Sequence, residues 1–295
     1  MSENITVVKR DGTIEEFNPE KIHKVITWAA SGLDGVSVSE VELRAKVQIT
    51  DGIRTEDIHE AIVKSAADLT TTNNPDYALL AGRLNNFKLR KEAYEEYNPP
   101  KLYDFICGMV IYGKYDKDIL KYYTKEEMDE LDAYIEHDRD YDISYSGSKQ
   151  LEGKYLVQDR VTKKVFETPN MAFMVISMLG FYDYPEDTKL DYVKKAYDGL
   201  SKFKISLPTP IMGGLRTPTK QFSSCVVIEA GDSLDSINGT SNAIVKYISQ
   251  RAGIGLSISR IRALGSSIRG GEAVHTGLIP FIKKFQADVK SCSQG

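Results

Sequence analysis

Residues 220–237 read KQFSSCVVIEAGDSLDSI. A serine pair and one cysteine lead into the β-branched run Val226-Val227-Ile228, which predicts a strand over 222–229. Asp232 and Ser233 then offer the side-chain oxygens that open a helix. DSLDSINGTSNAIVKYISQRAG continues as that helix, and IGLSISRIRALG, from residue 254, alternates like a second strand or strand-loop. PFIKKFQADVKSC, over 280–292, is a final amphipathic helix. Strands alternating with helices predict an α/β domain with parallel strands. Residues 206–295 hold only its opening units, so a sheet edge and a helix-packing face are expected to be uncovered.

Upstream the texture differs. Residues 5–17, ITVVKRDGTIEEF, predict a β-hairpin turning at Asp11-Gly12. Asn18 is a good helix cap, Pro19 suits the first helical position, and Ile22, Val25, Ile26 and Ala29 make one apolar face that ends at Gly32. Trp28 is expected in the core. Three more helices are predicted over 39–49, 55–70 and 76–97, the second capped by Thr55. Pro99-Pro100 then breaks the chain. Residues 101–200 are expected to be mostly helical, with an amphipathic helix over 120–137 and another over 183–200. GKYLVQDRVTKKVFETP, between them, predicts a second hairpin. The organisation is therefore a small sheet on a helical bundle (1–95), a helical connecting region (96–205) and an incomplete α/β unit (206–295).

The totals exclude several function classes. With 38 basic and 42 acidic side chains among 295 residues the net charge is −4, which gives no bulk attraction to nucleic acid or an anionic membrane. The N-terminus lacks the pattern of a secretory signal, and no apolar run approaches a membrane span. Three cysteines, Cys107, Cys225 and Cys292, are too few and too scattered for a disulfide framework, and indicate a reducing cytoplasm. No Cys/His pair has zinc-ligand spacing, so no side-chain metal site is expected.

Three constellations could carry chemistry. Lys9, Arg10 and Lys21 surround a hairpin turn and a helix start, where backbone N–H groups favour phosphate, and Lys88, Arg90 and Lys91 could close the same pocket. A solvated charged surface is the plain alternative. His59 is either a nucleotide contact or a packed histidine. Asp232 and Ser233, with Arg262 and Arg269 around a Gly/Ser-rich loop, suit an anionic ligand or merely a capped helix and a turn. Cys225 is either a small buried hydrophobe or a reactive thiol, and a redox role needs a second thiol close in space.

Read in order, VVKRDG, NPEKIHKVITWAA, DGIRTEDIHEAIVKSAADL, HDRD, QLEGKYLVQDRVT, FKISLPTPIM, RTPTKQFSSCV, GDSLDSI, VKYISQRAGIG, RIRALGSSIRGGEAVHTG and VKSCSQG resemble the large, catalytic subunit of class I (Ia-type) ribonucleotide reductase over the whole chain. The resemblance implies an ATP-cone, a helical connecting region and the start of a ten-stranded α/β barrel. It implies that Cys225 is a reductant cysteine, and that Thr209, Ser224 and Gly253 contact the substrate ribose or diphosphate. Asp232, Ser233, Leu234, Arg262 and Arg269 match the specificity site for deoxynucleoside triphosphate or ATP effectors, and 292–295 the start of the loop that relays effector identity. Lys9, Glu15, Glu16, Phe17, Asn18, Lys21, Thr55 and Lys91 match the ATP/dATP activity site, with His59 and Lys88 beside them. Some members carry histidine where this chain has Lys88, which bears on adenine or phosphate recognition.

The effectors implied are ATP, dATP and deoxynucleoside triphosphates with Mg2+. The partners implied are a radical-generating small (beta) subunit, thioredoxin or glutaredoxin, a second copy of the subunit, and a C-terminal half of the large subunit. Family chains run much further, and the absent part holds the thiyl-radical cysteine and the disulfide partner of Cys225. The chain is accordingly expected to be a split subunit or a truncated one, inactive alone. The readings of another class are a non-enzymatic nucleotide sensor that uses only the cone, and an assembly-modulating decoy.

Overall fold

The computed structural model describes residues 5–250 and 252–292. They form two compact units. The first runs to Leu207 and includes Leu215–Pro218; the second holds Pro208–Gly214 and the chain from Thr219 onward.

The first unit begins with strands β1 (Thr6–Val8) and β2 (Ile14–Glu16), which pair antiparallel with Thr6 opposite Glu16. Asp11 caps the turn by accepting from the Thr13 N–H at 2.9 Å and hydroxyl at 2.7 Å. Gly12, at φ +84°, supplies the left-handed residue. A third strand, β3 (Ile53–Arg54), pairs parallel with β1. Two residues are too short to carry an alternation signal, so the sequence does not reveal it.

Four helices pack on this sheet: α1 (Pro19–Ala30), α2 (Val38–Lys46), α3 (Thr55–Ala67) and α4 (Asp76–Tyr94). Asn18 caps α1 as expected, accepting from Glu20 N–H at 2.9 Å. At α3 the cap position is Arg54, without a side-chain capping bond, and Thr55 is already helical. Val7, Ile26, Val41, Ile62 and Leu80 are among the core side chains. Trp28 is not in this core. It is 42% exposed and lies over Phe87 and against the edge of Tyr141, because it projects from the side of α1 away from Ile26 and Ala29.

Helices α5 (Leu102–Ile111), α6 (Ile119–Tyr122), α7 (Lys125–Tyr134), α8 (Tyr145–Gln150), α9 (Pro169–Gly180) and α10 (Lys189–Ser201) complete the unit. The helix expected over 120–137 is broken at Tyr123, whose backbone is extended; Thr124 restarts it with a capping box to Glu127. A 3-10 turn, His137–Asp142, and a π-turn, Leu151–Tyr155, flank α8. The hairpin expected after it reduces to one antiparallel bridge, Gln158 to Val165.

Helix α9 is apolar and buried all round, from Met171 to Leu179. Helix α4 is the opposite case: Asn85, Asn86, Lys88 and Arg90 are polar and buried on it. They meet partners on the turns. Asn86 donates to the Asp140 carbonyl at 2.6 Å, and Asn85 to Ser148 at 2.8 Å. Asp140 accepts from the backbone and side chain of Asn170, and burial raises its carboxyl to about 6.

In the second unit α11 (Thr209–Gly214) precedes β4 (Cys225–Glu229), α12 (Leu234–Ser249), β5 (Gly253–Ser257), the short β6 (Ser267–Ile268) and β7 (Ala273–Val274), and α13 (Ile279–Cys292). Strands β4 and β5 pair parallel, joined by α12, which makes a βαβ unit. Ile228, Ile254 and Leu256 pack with Ile237, Ile244 and Phe285 of the helices. The described residues form no closed barrel; the sheet has two strands.

Candidate functional site

Three groups of side chains stand out. In the cone, Glu15 on β2 lies between Lys9 and Lys21, with Nζ–O distances of 2.6 and 2.8 Å. These two lysines hold the Glu15 carboxyl below its usual range. Phe17 packs on the cone core and Asn18 caps α1, so both have structural duties beside the implied contact. Glu16 is exposed and faces Thr6 across the hairpin.

His59 on α3 stacks on Phe87 of α4, with ring centroids 5.8 Å apart and planes 6° apart. Phe87 stacks in turn on Tyr97, over which Lys91 places its ammonium at 4.4 Å. Burial, and then the positive charges of Arg10, Lys88 and Lys91, lower the His59 imidazole to about 4. A neutral ring among three cations is an arrangement an anion would relieve. Arg10 also meets Glu56 at 3.3 Å.

Lys88 is not open to solvent. Its ammonium bonds Glu60 at 2.7 Å and Glu152 at 3.4 Å, and its side chain is 11% exposed. Burial works against its charge, but Glu152 and Glu60 outweigh it and raise its pKa. The sequence reading put Lys9, Arg10, Lys21, Lys88, Arg90 and Lys91 around one pocket; Arg90 instead turns to Asp138 and the His137 carbonyl, drawn by those acceptors and the Tyr141 ring, and Glu60, Phe87, Tyr97 and Glu152 were missed. Their positions 60, 87, 97 and 152 share no helical period, so only the packing of α3 on α4, and of α4 on α8, unites them.

In the second unit Asp232 accepts from the Arg262 backbone N–H at 2.9 Å and from its Nε at 2.8 Å. That backbone N–H, together with the guanidinium, lowers the Asp232 carboxyl. Arg262 also donates to the Ser267 carbonyl at 3.1 Å. Ser233 caps α12 by accepting from Ser236 N–H, and Leu234 stands 76% exposed beside it. Arg269 sits at the β6–β7 tip with φ +55°, followed by Gly270 and Gly271, both also left-handed. The structure thus joins Asp232 to Arg262 across 30 residues and places Arg269 on the hairpin that Arg262 supports.

Cys225 is the first residue of β4 and is exposed, against the buried alternative. It pairs in register with Gly253, and Val227 with Gly255. The Ser224 carbonyl accepts the Gly253 N–H at 2.8 Å. A Cβ on Gly253 would lie 3.3 Å from that carbonyl and 3.8 Å from the Cys225 sulfur. The two glycines therefore leave the sheet face around Cys225 and Val227 low and open. Thr209 begins α11 in the same unit. Cys107 and Cys292 are unoxidised; residues 293–295 of the implied effector-relay loop lie outside the described residues.

Comparison with known proteins finds three family models along the chain. The ATP cone domain model matches residues 5–92, the ribonucleotide reductase all-alpha domain model residues 141–220, and the ribonucleotide reductase barrel domain model residues 223–295. Over its whole length the chain is similar to the N-terminal region of the class I ribonucleotide reductase alpha subunit. It is 60% identical over all 295 residues to ribonucleoside-diphosphate reductase 1 subunit alpha of Escherichia coli K12, and 60% to the alpha subunit of Haemophilus influenzae Rd. The alpha subunit of Enterobacteria phage T4 is 50% identical over 293 residues, 99% of this chain and 38% of its own length. The chain spans 39% of the length of the two bacterial reductase subunits. Among the described residues no helix is long and apolar enough to cross a membrane, and no three His, Cys, Asp or Glu side chains are grouped to hold a metal ion.

Proposed function

We propose that this chain forms the N-terminal portion of a ribonucleoside-diphosphate reductase large subunit, carrying two effector sites and one redox cysteine. The observation that carries this reading is Cys225, exposed at the head of a parallel strand with glycine opposite it. A thiol in that place can approach a ribose ring without a side chain between them. In the reaction the substrate 2′-hydroxyl leaves as water, with a proton from Cys225. Cys225 and a second cysteine are oxidised to a disulfide as the ribose is reduced by two electrons. Thioredoxin or glutaredoxin then restores the thiols. Thr209, Ser224 and Gly253 hold the diphosphate and ribose.

The thiyl radical that starts the chemistry comes by way of a radical-generating small subunit. It resides in barrel segments beyond the stretch matched here, supplied on the same or a separate polypeptide. The Asp232–Arg262 pair, Ser233, Leu234 and Arg269 serve specificity effectors. The cone residues Lys9, Glu15 through Lys21, Thr55, His59 and Lys91 serve ATP or dATP, whose Mg2+ arrives with its phosphates; Lys88 acts from behind. Cytoplasmic location and self-association follow from the same reading.

Co-expression with the remaining barrel segments and a small subunit, followed by CDP reduction, tests it. Activity that disappears in Cys225→Ser while effector binding persists is expected. Undiminished activity in that variant overturns the role of Cys225.

A further inference from the structure

Lys88, Glu60, Glu152 and Lys149 form a charged seam inside the first unit. Lys88 is shared between Glu60 of α3 and Glu152 of the π-turn, and its contact to Glu152, at 3.4 Å, is the longer. Glu152 also accepts from Lys149 at 2.9 Å and Asn85 at 3.1 Å. The Asn85 side-chain amide oxygen is buried with no hydrogen-bond partner. A buried acceptor without a partner, on the same amide that bonds Glu152, marks a cluster whose polar groups are not all satisfied. The π-turn is wound more loosely than the α-helix before it. Leu156 N–H reaches back five residues to the Leu151 carbonyl at 2.9 Å, and a one-residue slip restores α-helical pairing. Glu152 fixes the turn from both ends, since its carbonyl accepts from Gln158 at 3.0 Å.

Through Glu60, the neighbour of His59 on α3, Lys88 also touches the His59 side of the cone, at 2.7 Å. Its charge acts on His59 together with those of Arg10 and Lys91. A polyphosphate there attracts Lys88 and repels Glu60 and Glu152 together. The longest contact yields first.

We propose that the Lys88–Glu152 contact couples the cone to the π-turn: an anion seated beside His59 draws Lys88 from Glu152 and releases Leu151–Tyr155. This rests on the reading of the cone as a nucleotide site. It assigns Lys88 a positioning role, holding the turn when the cone is empty and loosening it when a nucleoside triphosphate binds.

The test uses the 295-residue chain and Mg-dATP, with binding measured by calorimetry and backbone opening by hydrogen exchange. Saturating dATP should speed exchange of the 151–158 amides by about tenfold, the scale of losing one charge-assisted hydrogen bond. Lys88→Met should bind dATP more weakly and, once saturated with nucleotide, lose that response. Glu152→Gln, which keeps the acceptor for Asn85, should show faster exchange at 151–158 before nucleotide is added and little further change. It serves if Lys88→Met does not fold. Binding of dATP without any change at 151–158, or an undiminished response in either variant, overturns the coupling alone. No dATP binding by the unaltered chain overturns the cone reading and the coupling with it.

Discussion

Arg216 and Glu167 form an ion pair from which water is shut out, their side chains 1% and 0% exposed. Tyr115 donates to the same carboxylate, Arg216 donates to the Tyr155 carbonyl at 2.9 Å, and Glu167 accepts from Val157 N–H at 2.5 Å. The pair holds Leu215–Pro218 in the first unit, although the residues on either side belong to the second. Removing one partner leaves a buried charge uncompensated. Arg216→Met should therefore lower stability by about 3–5 kcal/mol, and Glu167→Gln also by several. Urea titration checks this. A loss under about 1 kcal/mol in both variants would mean that the site is wetter than described.

Gly82 lies mid-helix on α4, where alanine would ordinarily gain about 1 kcal/mol. Here a Cβ would fall 2.1 Å from the Ile143 carbonyl oxygen and 2.7 Å from the Ser144 carbonyl carbon. Both are backbone and cannot rotate aside. Gly82→Ala should destabilise by roughly 3 kcal/mol, by forcing α4 and the 143–145 segment apart. Thermal unfolding would show it, and a melting point equal to or above that of the unaltered chain would sink the argument.

His59, lowered to about 4, is neutral at pH 7. A bound polyphosphate opposes its cationic neighbours and raises the pKa, so binding takes up a proton. Affinity for dATP should then rise as pH falls from 7 towards 5, and level off as the nucleotide-free ring itself titrates near 4. His59→Phe, which keeps the stack on Phe87, should flatten the profile. Calorimetry in buffers of different ionisation enthalpy reads the proton directly. Proton release on binding would contradict the sign.

Cys225 is exposed, so Cys225→Ser should leave unfolding stability within about 0.5 kcal/mol of its original value while abolishing turnover in the complete enzyme. Gly253→Ala should act on substrate rather than on the fold. Its methyl makes ordinary contact with the sulfur and a tight one with the Ser224 carbonyl, and it stands on the open face. A raised KM for the nucleoside diphosphate with near-normal stability is expected, and an unchanged KM would remove Gly253 from the substrate site.

Much of this was legible in the sequence because it is local. The Asn18 cap, the Asp11-Gly12 turn and the β4–α12 switch all declare themselves within a few residues. What stayed hidden is what distance in sequence hides. Val7 pairs with Ile53 across a two-residue strand, and Lys88 meets Glu152 across 64 positions. Trp28 was misplaced for a related reason: a large apolar side chain is expected inside, but α1 points it at Phe87 and Tyr141. The exposure of Cys225 follows from strand alternation, but which face is covered depends on where α12 and α13 pack.

Helix α4 has consequences for exchanging parts between relatives. It belongs to the cone through Leu80, Ala81 and Leu84, yet Asn85, Asn86, Lys88 and Arg90 each take a hydrogen-bond partner from residues 137–152. A cone excised at residue 95 would carry those four polar groups into water on a helix shaped for a solid neighbour. A cone grafted onto a foreign reductase would meet a surface that need not answer them. The exchangeable cassette in this chain is therefore longer than the ATP-binding unit itself, and reaches to the end of the π-turn.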